Sequence, residues 1–176
     1  MNPFKNIVFT LFLCGLWFVF SSATYPEKFN RFMVYVLKFE GGFTMIDPGG
    51  TNYGIMQINY NSYRVAHQLK KQSVEFITRI EVYDLYYNNY YLKSNCDTLN
   101  LCLAFVHFDT SINCGVKQAE KFIKKVKKLP DYDNAMKYIE LRDQLYRWLA
   151  VNKDKGRFLK GWLNRDNKIR TIIKTF

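Results

Sequence analysis

Apolar residues recur at steps of three and four along most of the chain, which is the spacing of one face of an amphipathic helix. The first such stripe follows Pro26, a residue that suits the first turn of a helix, and it ends at Glu40. Its apolar members are Phe29, Phe32, Met33, Val36 and Leu37. The pattern predicts a helix from Pro26 to Glu40.

The helical period stops between residues 41 and 59. Glycines at 41 and 42, an Asp-Pro-Gly-Gly run at 47–50 and Gly54 interrupt short segments with strand propensity. This stretch therefore predicts a loop or a small hairpin.

Helical signals return after this stretch and continue to the end of the chain. Asn61 or Ser62 is suited to cap a helix that runs to about Leu69, and Thr78 with Glu81 forms a capping box for a helix to about Tyr91. Further helices are predicted over 99–113, 116–128, 133–151 and 157–173. The chain has no internal repeat or linker, so the prediction is a mostly α fold with one Gly-rich hairpin after the first helix.

Composition limits the size and the partners of this fold. The 176 residues, 48% of them hydrophobic, suffice for one packed domain and exclude a disordered protein. Lys+Arg 26 against Asp+Glu 15 gives a net charge of +11, with lysines densest over 117–128. This charge favours a polyanionic partner, whether nucleic acid, an anionic membrane or an acidic cell-wall polymer.

The first 23 residues have the features of a signal peptide. Lys5 precedes an uncharged, largely apolar run from Ile7 to Phe20, and the small residues Ser21 to Ala23 follow. We expect cleavage after Ala23, export to the periplasm or the cell exterior, and a folded domain over 24–176. An uncleaved signal anchor is the alternative, although the run is short of the roughly 20 residues that span a bilayer.

Export makes disulfides possible for the three cysteines that follow the signal segment. One bridge is expected, between Cys96 and Cys102 or with Cys114 as the competing partner; three unpaired buried thiols are the alternative. No cysteine or histidine spacing is typical of a metal site, so we expect neither a metal nor a cofactor.

Glu40 is the most conspicuous polar residue, because it continues the apolar stripe of the first helix. Burial and the negative end of the helix both disfavour the carboxylate. A carboxylic acid that stays protonated near neutral pH is suited to protonate a leaving glycosidic oxygen. The alternative is that Glu40 lies at a frayed helix end, in water, with Gly41 as a C-cap.

Several motifs resemble the signature of glycoside hydrolase family 108, muramidases of phage and bacterial origin. They are Glu40-Gly41-Gly42-Phe43, Asp47-Pro48-Gly49-Gly50 and Thr51-Asn52-Tyr53-Gly54-Ile55, with later similar blocks at 72–74, 80–83, 90–91, 107–113 and 157–165. The resemblance implies a lysozyme-like fold and cleavage of the β-1,4 bond between N-acetylmuramic acid and N-acetylglucosamine. It also implies Glu40 as the catalytic acid and a C-terminal helical segment over 116–176 with a peptidoglycan-binding role.

Two features depart from the usual family pattern. Only Phe43 to Ile46 separate the Glu-Gly-Gly and Asp-Pro-Gly-Gly motifs, so the hairpin is short. The usual C-terminal peptidoglycan-binding segment is also compact, with Pro130 to Asp133 as its only clear loop, so no separate binding module is claimed.

A second resemblance leaves the mechanism open. Glu40 followed fourteen residues later by Gly54-Ile55-Met56-Gln57-Ile58 is similar to lytic transglycosylases, which cut the same bond without water.

The remaining site candidates come from the hairpin and the helices around it. Asp47 is the first candidate for a second carboxylate that activates water. Asp109 is the second candidate, although a buried hydrogen-bonding role in the core is favoured for it. Asn52, Tyr53 and Gln57 could bind sugar amides and hydroxyls or simply brace the hairpin.

A crowded set of tyrosines on one helix adds a further candidate. Some of these rings must be exposed or line a groove, where they stack on sugars, and Tyr90 is our candidate for substrate binding. Most of the aromatic residues are expected in the core.

The sequence thus predicts an exported, monomeric muramidase that acts on peptidoglycan glycan strands. It predicts no nucleic-acid partner and no membrane contact except through the N-terminal segment. The alternatives are a lytic transglycosylase that uses the same Glu40 and an inactive wall-binding or secretion-accessory protein.

Overall fold

A computed structural model describes residues 25–45, 47–126 and 129–176, so the predicted signal segment 1–23 lies outside the described residues. The α-helices are α1 (Glu27–Glu40), α2 (Gln57–Ala66), α3 (Arg79–Tyr86), α4 (Leu101–Cys114), α5 (Val116–Val126), α6 (Asp131–Asn152) and α7 (Gly156–Ile173). The strands β1 (Thr51–Asn52) and β2 (Ile55–Met56) pair antiparallel. This confirms the predicted mostly α, lysozyme-like architecture with a small hairpin after the first helix.

The starts of α2 and α6 differ from the sequence prediction. α2 begins at Gln57, directly after β2, instead of near Asn61. α6 begins at Asp131, and this carboxylate accepts hydrogen bonds from the N-terminal amides of α4, at Cys102 (2.9 Å) and Leu103 (3.0 Å). The capping box of Thr78 and Glu81 is confirmed at the start of α3.

The predicted helix through Tyr91 changes type part-way. α3 ends at Tyr86 and a π-helical turn follows over Tyr87–Tyr91. The Tyr91 ring is buried against Phe29 and Phe108, at centroid distances of 5.1 and 5.6 Å. The wider turn is a local departure of the kind often found at functional sites.

α4 forms the centre of the core. Ten of its residues, from Cys102 to Ser111, are buried, and it packs against α1, α5, α6 and α7. Phe32 of α1 meets Phe105 of α4 at a ring distance of 5.2 Å. Because aromatic rings bury large apolar areas, this contact helps to hold α1 against α4.

The three cysteines of the described chain are free thiols, so the predicted disulfide is wrong and the alternative of three unpaired thiols is confirmed. Cys96 and Cys102 are buried. Burial raises the pKa of the Cys102 thiol to about 11, which keeps it protonated and unreactive near neutral pH.

In the same described ranges, no helix combines the length and the apolar character that a membrane span requires.

Candidate active site

The hairpin places a glycine directly against the end of α1. β1 and β2 pair through Thr51 with Met56 and Asn52 with Ile55, leaving Tyr53 and Gly54 as a two-residue turn. Both turn residues have positive φ, 48° and 72°, as a type I′ turn requires. The short hairpin expected from the sequence thus reaches α1 with its tip.

Glu40 is the last residue of α1, and its side chain is only 16% exposed. Its Oε1 accepts a hydrogen bond from Nη2 of Arg165, on α7, at 2.7 Å. Its Oε2 faces Gly54, where an added Cβ would lie 2.6 Å away. The carboxyl group is therefore held between α7 and the hairpin tip and does not extend into water.

Two tyrosines adjoin the Glu40 carboxyl group. The hydroxyl of Tyr86 donates to the backbone oxygen of Tyr53 at 2.8 Å and so fixes the turn. Burial raises the pKa of both Tyr86 and Tyr90, and the charge of nearby Glu40 raises each of them further. Both hydroxyls are therefore neutral donors beside the carboxyl group.

Arg165 joins Glu40 to a buried charge network. Its Nη2 also donates to Oδ1 of Asp109 at 2.7 Å, and its Nε donates to the same oxygen at 3.0 Å. Arg142 donates from Nη1 to Oδ2 of Asp109 at 2.7 Å and from Nη2 to Asp166. Asp109 has the buried hydrogen-bonding role that the sequence favoured for it.

The opposite charges of Asp109 and Arg165 outweigh the cost of burying these two groups. Burial alone would raise the pKa of Asp109, but Arg165 and Arg142 outweigh it and lower that pKa below its ordinary value. Burial likewise opposes the charge of Arg165, and Asp109 and Glu40 overcome it, so the pKa of the guanidinium is raised. Asp109 and Arg165 are therefore charged together at neutral pH.

An open groove of about 750 Å³ lies beside this cluster, between α2 and the segment from α3 through the π-helical turn. Gly54, Tyr86 and Tyr90 line its end nearest to Glu40. Amides, hydroxyls and rings continue along it at Asn59, Ser62, Tyr63, Asn88 and Asn89. Its volume is that of a small-ligand site, and its lining combines hydrogen-bonding groups with aromatic faces.

Asp47 lies in the turn that precedes β1. Its Oδ2 accepts a hydrogen bond from the Thr51 hydroxyl at 2.9 Å, and its backbone oxygen accepts from Gly50 at 2.8 Å. Among the described residues, no hydrogen bond joins Asp47 to Glu40. The carboxylate of Asp47 thus braces the turn in this structure.

Asn52 and Gln57 connect the hairpin to the segment over 72–76. The buried Asn52 amide donates to the backbone oxygens of Val74 and Glu75, at 3.2 and 3.0 Å. The Gln57 amide donates to the Gln72 oxygen and accepts from the Val74 amide. These contacts agree with the bracing role that was the alternative to sugar binding.

Within the described ranges, no three His, Cys, Asp or Glu side chains are grouped so as to hold a metal ion.

Comparison with known families matches residues 33–115 to the family described as glycosyl hydrolase 108. The matched stretch contains Glu40, the whole hairpin and α4. Residues 33–115 are therefore similar to this family. No curated protein sequence matches the chain.

A solved structure extends the likeness beyond the family-108 stretch. The structure of SagA from Brucella abortus is similar with a TM-score of 0.64 and 28% sequence identity, over 84% of this chain and 94% of that one. Together the two comparisons support a glycoside hydrolase with a lysozyme-like role on peptidoglycan.

Sequence reasoning placed Arg165 in a family-like block without giving it a role. It lies outside the family-108 stretch, on α7, and contacts Glu40 across 125 residues of sequence. One signal was available: Asp109 lies in an otherwise almost uncharged, apolar helix, and a buried carboxylate requires a cation or several donors. That signal indicates a cation but does not identify which one.

Proposed function

We propose that the protein is an exported N-acetylmuramidase that cleaves the β-1,4 bond between N-acetylmuramic acid and N-acetylglucosamine, with Glu40 as general acid. The main support is the position of the Glu40 carboxyl group, which is fixed by Arg165 on one oxygen and adjoins a polar groove through Gly54 and Tyr90. A general acid needs this combination of partial burial and access to the scissile bond.

In the proposed reaction, the protonated Glu40 gives its proton to the glycosidic oxygen as the bond from that oxygen to the sugar carbon breaks. The electron pair of the bond leaves with the oxygen, and the sugar carbon becomes cationic. Water then adds to this carbon and loses a proton to a base. Asp47 is our candidate for that base; in this role its carboxylate would have to exchange the Thr51 hydroxyl for the attacking water.

Substrate binding is proposed for the groove beside Glu40. The amides of Asn59, Asn88 and Asn89 are suited to acetamido and hydroxyl groups, and the Tyr90 ring to a sugar face. Tyr53, at the hairpin tip, is the other predicted residue that we assign to the sugar. Asn52 and Gln57 are assigned to bracing the hairpin, because their amides already bond to backbone groups.

A lytic transglycosylase is the second candidate. It is favoured by the hydrogen bond that ties Asp47 to Thr51, since such an enzyme uses one carboxyl group as both acid and base. There Glu40 would first protonate the leaving oxygen and then accept the proton of the muramic 6-hydroxyl as the anhydro ring forms.

The deciding experiment is mass spectrometry of the soluble fragments that the protein releases from purified peptidoglycan. Reducing-end muramic acid is expected, and 1,6-anhydro ends would establish the transglycosylase instead. Glu40→Gln is expected to release no fragments while its circular dichroism stays unchanged. Release of fragments by this variant at near the wild-type rate would remove Glu40 from its role, and wall binding without any release would indicate a binding protein.

Asp47→Asn separates the two enzyme mechanisms further. Under hydrolysis with Asp47 as base, the rate falls by roughly 10²-fold or more. Under transglycosylation the rate changes little, because Asp47 then only braces the turn.

Export is proposed from the signal-like segment over 1–23, and wall attachment from the lysines of the C-terminal segment over 116–176. Exported protein is expected to begin at Thr24, and N-terminal sequencing that starts at Met1 would favour the anchor. The C-terminal segment over 116–176 is proposed to aid attachment to the anionic wall through lysines of α5, such as Lys117 and Lys121. Such an attraction weakens with added salt, which sedimentation with peptidoglycan measures.

A further inference from the structure

We propose that Arg165 is a positioning residue for Glu40, and that Asp109 tunes the effect of the Arg165 charge on that carboxyl group. The inference rests on the proposed role of Glu40 as the acid. It assigns a part in the reaction to α4 and α7, neither of which supplies the acid.

Arg165 is held rigidly enough to position a carboxyl group. Its guanidinium makes hydrogen bonds to Asp109 from both Nε and Nη2, and it lies over the Phe39 ring at 4.8 Å. Its side chain is 14% exposed. Because Arg is planar and its donors have a fixed geometry, the two bonds to a fully buried Asp109 set the direction of the bond to Glu40.

This bond distinguishes the two oxygens of Glu40. Oε1 accepts from Arg165 at 2.7 Å, so a proton on Oε1 would face a donor and be disfavoured. The acidic proton therefore belongs on Oε2, the oxygen against Gly54 at the end of the groove. Arg165 thus determines which oxygen gives up the proton as well as where the carboxyl group lies.

A cation at this distance also creates a difficulty for a general acid. An unbalanced cation favours the ionised form of a neighbouring carboxyl group, whereas a general acid must be protonated. Asp109 offsets this effect, because it is charged and shares the same Nη2 group. Tyr86 and Tyr90 also adjoin Glu40 and both are neutral, so the charges that reach Glu40 through hydrogen bonds of the described residues are those of Arg165 and, behind it, Asp109.

The test is the pH dependence of kcat/KM, measured on soluble peptidoglycan fragments. Its alkaline limb reports loss of the acidic proton. Arg165→Gln is expected to move this limb to higher pH because it removes a cation beside the acid, and Asp109→Asn is expected to move it to lower pH because it removes the charge that offsets that cation. In Arg165→Gln, kcat at the optimum is expected to fall at least 10-fold because the carboxyl group is no longer held.

Arg165→Lys separates charge from positioning. Lysine retains the charge but lacks the planar fork, so the limb is expected to stay near its wild-type position while kcat falls. Lys160→Gln, an exposed cation on the same helix, is the matched control and is expected to change neither quantity.

Opposite movements of the limb support the proposal, because damage to the fold would lower activity without moving the limb in two directions. A limb that stays in place in Arg165→Gln, or moves the same way in both variants, overturns it. If circular dichroism shows that Asp109→Asn does not fold, Arg165→Gln and Arg165→Lys decide alone. If the limb does not move as expected but Glu40→Gln is inactive, only the role of Arg165 and Asp109 is rejected. If Glu40→Gln is active, the proposed function is rejected.

Discussion

Gly54→Ala is expected to damage catalysis far more than stability. The added Cβ would lie 2.6 Å from Oε2 of Glu40 and 2.8 Å from the Tyr86 hydroxyl, both well inside ordinary contact. The nearest obstacle is the end of a side chain, so the chain can accommodate the methyl group by moving the Glu40 carboxyl group.

The size of both effects follows from the geometry. Oε2 must retreat by about 0.8 Å to reach a contact of 3.4 Å, and a misplacement near 1 Å costs on the order of 10²-fold in rate. The positive φ of Gly54, 72°, adds a backbone cost of roughly 1–2 kcal/mol for any residue with a Cβ. For a domain of this size, that cost lowers Tm by about 2–8 °C.

The assay compares fragment release with thermal unfolding for Gly54→Ala and for Gly115→Ala. Gly115 has a φ of 84° and no atom within 4 Å of an added Cβ, so it carries the backbone cost without the contact. We expect similar falls in Tm and a rate loss confined to Gly54→Ala. Equal rates in the two variants would refute the placement of Oε2 against the hairpin tip.

Two further predictions concern residues outside the reacting groups. Asn52→Ala should lower the free energy of unfolding by about 1–3 kcal/mol and leave KM nearly unchanged, because the Asn52 amide donates to two backbone oxygens. Urea unfolding measures the stability, and fragment-release kinetics measure KM. A higher KM at unchanged stability would restore the sugar-binding role of Asn52. Burial raises the pKa of Asp166 to about 7, above its unfolded value near 4. Between these two pH values the folded protein keeps a proton that the unfolded chain has lost. The free energy of unfolding therefore falls as pH rises from about 4 to 7. The difference in Tm between pH 5 and pH 8 should therefore be smaller in Asp166→Asn than in the wild type, and an equal difference would contradict the assignment.

The parts of the fold that follow from local signals were predictable from the sequence. The stripe that ends at Glu40 gave the helix and the inward direction of its last side chain. The capping box at Thr78 marked the start of α3, and the glycines over 41–54 marked the hairpin. Each of these features is decided by residues within a few positions of one another.

The parts that failed depend on contacts between distant segments. Asn61 is a good cap by residue type, yet α2 begins earlier because the hairpin delivers the chain directly into Gln57. Arg165 reaches Glu40 because α7 packs against α6 and α4, which no local pattern encodes. The thiols of Cys96 and Cys102 are free, since sequence spacing alone does not fix cysteine pairing.

The position of Arg165 also bears on how the chain divides into modules. The family-108 stretch ends at residue 115, but both cations that neutralise its buried Asp109 come from α6 and α7. A fragment cut at that boundary would leave a carboxylate in the core without a counter-charge, which costs several kcal/mol. The unit in which these buried charges are paired is therefore longer than the family stretch, and its last helix supplies a direct contact to the proposed acid, Glu40.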